Sequence, residues 1–447
     1  MSTSHSPAQT RWAPRFFLIW TGQALSLFGS SVVQFALVWW MTRTTGSATA
    51  LAAATIVAIL PQIVLGPFIG PLVDRLDRKR IMIVADSGIA LATAGLMLLF
   101  WFDAVQLWHV YALIGLRSLG GAFHHPAMAS STSLLVPEEH LTRVGGLNQT
   151  LQGVMAIVAP PLGALLVMVV PTQGILAIDV VTAALAVLPL FFVHIPMPAR
   201  SGTEARDGKA GSSYVQDLKH GLQYIVRWPG LFGLIAVAML VNFLLVPSSS
   251  LMPLLVTKSF GRSALELAWT ETAMGVGIIA GGLALSAWGG FKRRIVTSIM
   301  GIAGLGLGVF LIGAAPMDGF WVVLAGCFVV GAMQSAANGP IHAILQSAVR
   351  QDMQGRVFSL VNAAATAMMP LSLVLAGPLS DSFGVRTWYL AGGAVCVVVA
   401  LLTLGIPAIM NIEETRTDRA GEVPAQPGLL ETMEPAVQGT AQTAPAD

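Results

Sequence analysis

Between Gly70 and Arg80 the sequence is GPLVDRLDRKR, a charged segment flanked by two apolar runs that are each long enough to cross a lipid bilayer. A transmembrane helix needs about 20 predominantly apolar residues. The segment is too short to form a domain, so it joins two such helices on one side of a membrane. Only 10% of the 447 residues are charged, against about 25% in soluble proteins. The sequence therefore excludes a soluble multidomain protein and predicts an all-α membrane protein.

Twelve apolar stretches meet this length requirement. Backbone polar groups in hydrocarbon must be paired within the chain, so each stretch is predicted to be a helix. The predicted spans are residues 16–41, 48–73, 81–102, 107–136, 143–170, 174–195, 229–256, 265–289, 295–314, 320–348, 355–380 and 387–410.

The positions of the cations predict the orientation of these spans. If the N-terminus is cytoplasmic, nineteen of the 24 Lys and Arg residues fall on the cytoplasmic side, four fall outside, and Arg117 lies within the fourth span. Basic loops stay in the cytoplasm, so we expect a multi-pass protein of a bacterial cytoplasmic membrane with both termini inside. Cys327 and Cys396 lie in apolar spans and are expected to be packing residues without a disulfide.

One long internal polar stretch divides the chain. We predict an N-terminal six-helix half over 1–197, a cytoplasmic linker over 198–228, a C-terminal six-helix half over 229–410 and a disordered cytoplasmic tail over 411–447. The tail is rich in Pro, Glu, Thr, Ala and Gln, a composition typical of disorder. The linker is predicted to contain a short amphipathic helix whose apolar residues are Val215, Leu218, Leu222, Ile225 and Val226.

The two halves carry a weak internal repeat. VPEEHLTRV at 136–144 corresponds to VRQDMQGRV at 349–357 with an offset of 213 residues, and the same offset relates Arg80 to Arg293. Parallel six-helix repeats are typical of transporters that bind their substrate between the halves.

Polar side chains recur on one face of four predicted spans, the first, fourth, seventh and tenth. Such side chains are costly when they face lipid, so they face a partner helix or a watery cavity. These four spans are equivalent in an inverted-repeat scheme, and we predict that they line a substrate cavity; the alternative is that these residues only join neighbouring helices. The candidate cavity residues are Gln23, Ser26, Ser30, Gln34, Arg117, His124, Asn242, Gln334, Asn338 and His342.

Four ionisable residues lie well inside spans. A cation such as Arg117 costs roughly 2.5–3.5 kcal/mol near mid-bilayer and needs a carboxylate, a carbonyl or water. Asp86 follows Arg80 by about two turns and is expected to pair with the basic loop, whereas Asp179 is expected at the periphery. Glu271 can border the cavity. A carboxylic acid held away from water retains its proton more readily, so Glu271 and Asp179 are candidates to carry the coupling proton. Arg117, a permanent cation, is the third candidate for a role in proton coupling.

Sequence signatures of enzymes and of metal or nucleic-acid binding do not appear. There is no metal-ligand spacing, catalytic triad, phosphate-binding glycine loop or nucleic-acid module. We therefore expect a protein that is not an enzyme and that needs no cofactor or metal.

Several motifs resemble the major facilitator superfamily. Gly70, Asp74, Arg75, Arg78, Lys79 and Arg80 match its signature between spans two and three. Arg117, Gly120 and Gly121 resemble its fourth-helix motif, and Pro160 with Gly163 resembles, loosely, its fifth-helix antiporter motif. IWTGQALSL at 19–27, RSLGGAFHHPA at 117–127 and LLVPEEHLT at 134–142 are similar to the macrolide efflux branch of the drug–proton antiporters. The sequence departs from the pattern at Asp77, where the signature has glycine, and at Ala287, the repeat equivalent of Asp74.

The resemblance implies twelve transmembrane helices in two pseudo-symmetric halves and a proton-driven exporter of amphipathic drugs, with macrolide-like antibiotics favoured. It also implies a cytoplasmic latch in which Asp74 faces the N-terminus of span eleven and Arg75 or Arg78 pairs with Glu138 or Glu139. The latch residues are Gly70, Asp74, Arg75, Arg78, Arg80, Glu138 and Glu139. The expected partners are a small amphipathic substrate, protons and the lipid bilayer, and we expect a monomer that binds no nucleic acid.

Two alternatives and one question stay open at this point. The chain could export an endogenous metabolite such as a siderophore, or it could be a membrane sensor or scaffold that binds a ligand without moving it. The motifs do not specify the direction of transport, so an importer also fits.

Overall fold

The computed structural model describes residues 12–193, 219, 222–349 and 351–413. This part of the chain forms twelve long helices and no strand. The helices are α1 (Trp12–Thr45), α2 (Ala48–Arg75), α3 (Arg78–Trp101), α4 (Leu107–Leu135), α5 (Glu138–Val169), α6 (Thr172–Phe192), α7 (Pro229–Leu254), α8 (Ala264–Trp288), α9 (Arg294–Ala314), α10 (Phe320–Ala348), α11 (Gln351–Phe383) and α12 (Val385–Thr403). A π-helical turn, Leu255–Ser259, follows α7, and a short helix, α13 (Pro407–Met410), follows α12.

Eleven of the described helices are long and apolar enough to cross a membrane by length and composition. The twelfth long helix, α4, carries Arg117 and three histidines, which lower its hydropathy. Its 29 residues still extend over roughly 44 Å at about 1.5 Å per residue. The predicted all-α membrane architecture is therefore confirmed.

The repeat appears in the helix boundaries. Helices α2 and α8 end at residues 75 and 288, α4 and α10 end at 135 and 348, and α5 and α11 begin at 138 and 351, a separation of 213 residues in each case. The two pseudo-symmetric halves are therefore α1–α6 and α7–α12.

The predicted linker and tail fall largely outside the described residues. Val215 and Leu218 of the predicted amphipathic helix lie outside them, as do residues 414–447. Leu222 and Val226 are described and exposed, whereas Ile225 is buried with the core of the second half.

The two halves meet mainly through two helix pairs, α2 with α11 and α5 with α8. We call the end of the bundle with the α2–α3 and α8–α9 connections the basic end, and the end with the α1–α2 and α7–α8 connections the opposite end. Near the opposite end, Gly377 of α11 lies directly against α2, where a Cβ would stand only 2.9 Å from the Cα of Thr49. Any larger residue would push the halves apart there.

Two charged side chains of the second half hold the α1–α2 connection. The Asp381 carboxylate accepts hydrogen bonds from the N–H groups of Ala48 (2.7 Å) and Thr49 (3.0 Å) and from the hydroxyls of Ser47 (2.9 Å) and Thr49 (2.7 Å). Lys258 packs against Gly46, which has φ +57°. An anion thus sits at the N-terminus of α2 and a cation at the C-terminus of α1, and both positions are electrostatically favourable. These contacts, which we call the opposite-end clasp, join the two halves at that end.

Candidate functional site

A cavity of about 620 Å³ lies between the two halves. This volume falls in the range of about 300–1,000 Å³ that is typical of sites for drug-sized ligands. The lining residues come from α1 (Leu27, Ser30, Ser31, Gln34, Phe35, Val38), α5 (Gln152, Met155, Ala156, Ala159, Pro160), α7 (Ser249, Met252), α8 (Leu267, Thr270, Glu271, Met274, Gly275, Ile278) and α10 (Cys327). Most are apolar, and the methionines provide a surface that can adapt its shape to different ligands.

Glu271 is the only carboxylate among the described residues that line this cavity. Within the described part of the chain it makes no hydrogen bond or ion pair. Glu266, five residues earlier on α8, differs because it accepts hydrogen bonds from the backbone N–H (3.0 Å) and the hydroxyl (2.5 Å) of Ser263 in a capping box. Among the described residues, Glu271 therefore has no hydrogen-bond partner comparable to the Ser263 partner of Glu266.

Arg117 of α4 forms an ion pair with Asp179 of α6 inside the first half. The distance from Nη1 to Oδ2 is 2.5 Å, and the exposed fractions of the two side chains are 11% and 1%. Thr93 of α3 donates a hydrogen bond to the same carboxylate oxygen at 3.3 Å. The prediction that Asp179 lies at the periphery is wrong, because α6 turns Asp179 towards α1, α3 and α4.

Ser30 connects this ion pair to the cavity. Its hydroxyl donates to Oδ1 of Asp179 at 3.0 Å, and its backbone carbonyl accepts from Nη2 of Arg117 at 3.2 Å. Ser30 also lines the cavity. Ser30 therefore links the ion pair to the cavity wall.

A second buried polar group joins α1, α3 and α4. The Gln23 amide donates to Asp86 Oδ2 at 2.9 Å, and His124 Nε2 lies 3.3 Å from Asp86 Oδ1. The expectation that Asp86 pairs with the basic loop was wrong, because its carboxylate turns into the helix bundle. Gln23 and His124 are buried in this group instead of lining the 620 Å³ cavity.

The other predicted cavity residues are divided between this cavity and its surroundings. Ser30 and Gln34 line it, whereas Ser26 and Arg117 do not, and α4 contributes no lining residue; α5 and α8 contribute instead. Asn242 donates to the Ala238 carbonyl of its own helix at 2.9 Å. Three exposed residues, Gln334, Asn338 and His342, recur every four positions along α10. None of these three residues lines the 620 Å³ cavity.

The predicted latch is only partly described. The side chains of Gly70, Asp74 and Arg75 lie outside the described residues. Arg80 pairs with Asp77, with Nε 3.4 Å from Oδ2. Glu138 is exposed, and Glu139 is paired with His140 at 3.4 Å.

The opposite-end clasp was not predicted from the sequence. Asp381 and the residues it contacts are 332–334 positions apart in the chain. The sequence did contain a signal that could have identified Asp179 as the partner of Arg117, namely the depth of each residue along its helix. Arg117 and Asp179 each lie about two to three turns from the opposite-end terminus of their helices, whereas Asp86 lies nearer the basic end.

Comparison with known proteins agrees with this architecture. The family model described as Major Facilitator Superfamily matches residues 19–372. Macrolide efflux protein A of Streptococcus pyogenes is 34% identical over 402 residues, which cover 90% of this chain and 98% of that protein. Multidrug efflux pump Tap of Mycobacterium bovis is 26% identical over 404 residues, which cover 89% of this chain and 94% of that protein.

A solved structure extends the comparison to the fold. The inward-facing crystal structure of a bacterial homologue of the iron transporter ferroportin aligns with a TM-score of 0.67 at 14% identity, and the alignment covers 87% of this chain and 98% of that one. At this identity the likeness concerns the fold alone. The family match and the near-complete overlap with efflux proteins show that the chain belongs to the major facilitator superfamily.

Proposed function

We propose that this chain is a secondary active transporter that exports amphipathic drugs, with macrolide-like antibiotics as the leading candidates, in exchange for protons. The observation that carries the proposal is the position of Glu271, the only carboxylate among the described residues lining a mostly apolar cavity between the halves. Similarity to macrolide efflux protein A and to multidrug efflux pump Tap supports the drug class.

In the proposed cycle, Glu271 carries the coupling proton. A charged carboxylate is unfavourable when it is shielded from water, and protonation removes that cost. Glu271 therefore takes up a proton from the outside and releases it when the cavity opens to the cytoplasm, where the drug enters. One proton crossing a potential of about 100 mV supplies about 2.3 kcal/mol, enough for roughly fifty-fold drug accumulation.

The ion pair of Arg117 and Asp179 is proposed to couple the protonation of Asp179 to the shape of the drug cavity. Protonation of Asp179 would weaken its attraction for Arg117. Ser30 contacts both partners and lines the cavity. Movement of Arg117 would therefore shift the α1 wall against which the drug lies.

The orientation follows from the cations. Because basic loops stay inside, we propose that the basic end and both termini face the cytoplasm. With the opposite-end clasp formed, the structure then corresponds to a state that is closed to the outside.

Asp381→Asn is expected to shift the protein towards the outward-open state. Each Asp381 carboxylate oxygen accepts a hydrogen bond from a backbone N–H. In asparagine one of the two oxygens is replaced by an NH₂ group, which donates, so at least one charge-assisted hydrogen bond of the clasp is lost. A loss of about 1–2 kcal/mol changes the ratio of the two states by roughly five- to thirty-fold.

Electron–electron distance measurements between spin labels at A104C and A314C, in a variant without native cysteines, report this shift. Both alanines are exposed at the opposite end, one in each half. D381N should populate a longer distance. D318N, which changes an exposed carboxylate at the same end, should not. Equal distance distributions for wild type and D381N would refute the role of the clasp.

The superfamily signature suggests a matching latch at the basic end, built around Asp74. We expect D74N to impair drug efflux while membrane insertion stays normal, because an anion facing a helix N-terminus is lost. Drug efflux from cells, normalised to the amount of protein in the membrane, measures this. Wild-type efflux rates for D74N would argue against the latch.

The drug specificity is tested by the resistance of cells. In a susceptible bacterium that lacks its own drug pumps, expression of the wild-type chain should raise the inhibitory concentration of a macrolide, and expression of E271Q at the same level should not. If drug sensitivity is unchanged, and a strain of the source bacterium from which the gene has been deleted accumulates an internal metabolite, the chain exports an endogenous compound instead.

A further inference from the structure

A second cavity, of about 580 Å³, lies between α3 and α4 towards the basic end. None of its lining residues belongs to the cavity between the halves. Its walls are apolar, with Ile81 and Val84 on α3 and Leu116 and Phe123 on α4, and Gly88 forms part of its floor. Val84 is 71% exposed, so this groove faces the surroundings of the helix bundle, which in a membrane are lipid.

Among the described residues that line the groove, the one cation is Arg80, at the mouth. The Arg80 side chain lines the groove and is 85% exposed. Asp77 also lies there, but it caps α3 by accepting from the Arg80 N–H at 3.3 Å and pairs with the Arg80 guanidinium. Lys79 is used elsewhere, because its Nζ donates to the carbonyls of Phe191 (3.3 Å) and Val193 (3.1 Å).

The segment as a whole is positively charged. Residues 74–80 contain four cations and two carboxylates, so the segment that ends at the groove mouth carries a net positive charge. Arg80 is in the first turn of α3 (Arg78–Trp101), so in a bilayer we expect the mouth near the depth of the polar headgroups. An apolar groove with a cation at this depth matches the two parts of a phospholipid, and basic pockets between transmembrane helices bind anionic headgroups.

We propose that the groove between α3 and α4 is a binding site for one anionic phospholipid. An acyl chain lies along Val84, Gly88 and Leu116, and the phosphate contacts Arg80. The site stands apart from the drug cavity, so it does not depend on the proposed transport activity.

Two glycines of α3 allow a matched test. A Cβ at Gly88 or at Gly95 would meet no atom within 4 Å, so a side chain can begin at either position without a clash at its first atom. Gly88 lies in the groove, whereas Gly95 lies two turns further along α3, beyond the groove-lining residues. G88L fills the site, and G95L adds the same apolar surface outside it.

The experiment titrates delipidated, purified protein with phosphatidylglycerol or phosphatidylcholine and counts the bound lipids by native mass spectrometry. Wild type and G95L should bind one phosphatidylglycerol in preference to phosphatidylcholine, and G88L should lose this first site. R80Q should lose about five-fold in the preference for phosphatidylglycerol, the effect of one basic residue near an anionic headgroup. Equal binding by G88L and G95L, or no preference for phosphatidylglycerol in wild type, would overturn the proposal.

Discussion

Replacing Asp179 with asparagine is expected to abolish proton-driven transport and to destabilise the first half of the protein. The substitution leaves Arg117 as a buried cation without its carboxylate partner, 2.5 Å away in the wild type. Breaking a buried ion pair by removing one partner costs about 3–5 kcal/mol, which is a large fraction of the stability of a typical domain. The carbonyl of Ser30 and the hydroxyl of Thr93 cannot neutralise the charge that remains.

The double variant R117Q/D179N separates stability from coupling. Each single variant should lower the Tm of the purified protein, whereas the double variant should recover much of the loss because no unpaired charge remains. If the pair takes part in coupling, the double variant still fails to accumulate drug in energised vesicles.

Asp103 provides a matched control for this change. It is exposed in the α3–α4 connection and adopts φ 52°, a conformation that asparagine also tolerates. D103N should behave like wild type in both assays. Full proton-driven transport by the double variant would remove Arg117 and Asp179 from the mechanism and leave them a structural role only.

Glu271→Gln is expected to uncouple transport from the proton gradient. Glutamine has nearly the same size and resembles the protonated acid, but it cannot release a proton. The roughly fifty-fold accumulation that one proton can support at about 100 mV should fall to equilibrium with the outside. Exchange of labelled for unlabelled drug should persist, because it needs no net proton movement.

Glu266→Gln is the control on the same helix. Glutamine preserves the capping box with Ser263, so E266Q should retain both proton-driven accumulation and exchange. Vesicles with an imposed pH gradient and equal amounts of each variant compare the two substitutions directly. Accumulation by E271Q at the wild-type level would show that another group carries the proton.

The architecture could be predicted from the sequence because it depends on one-dimensional properties. The length of each apolar run, the basic loops and the 213-residue repeat predict twelve helices in two halves, and the helix boundaries confirm this. Helix α4 is the long helix that fails the hydropathy criterion for a membrane span. It is nevertheless a helix where a span was predicted, between the spans α3 and α5.

The rotation of each helix about its axis limited the prediction of the site. Polar stripes showed which helix faces avoid lipid but not what each face meets. Gln23 and Ser30 lie on the same helix, yet Gln23 contacts Asp86 inside the first half, whereas Ser30 reaches the cavity. The contributions of α5 and α8 to the cavity were not predicted because their lining residues are mostly apolar and resemble ordinary membrane-helix composition.

The most direct test of the account measures drug flux in proteoliposomes that contain the purified wild-type chain. With an inside-acidic pH gradient, a radiolabelled macrolide should accumulate through protein inserted with its basic end outwards, and a protonophore should abolish the accumulation. Exchange of the same drug without any response to the pH gradient would contradict proton antiport. If the proteoliposomes show no exchange and no accumulation of the drug, macrolide transport itself is contradicted.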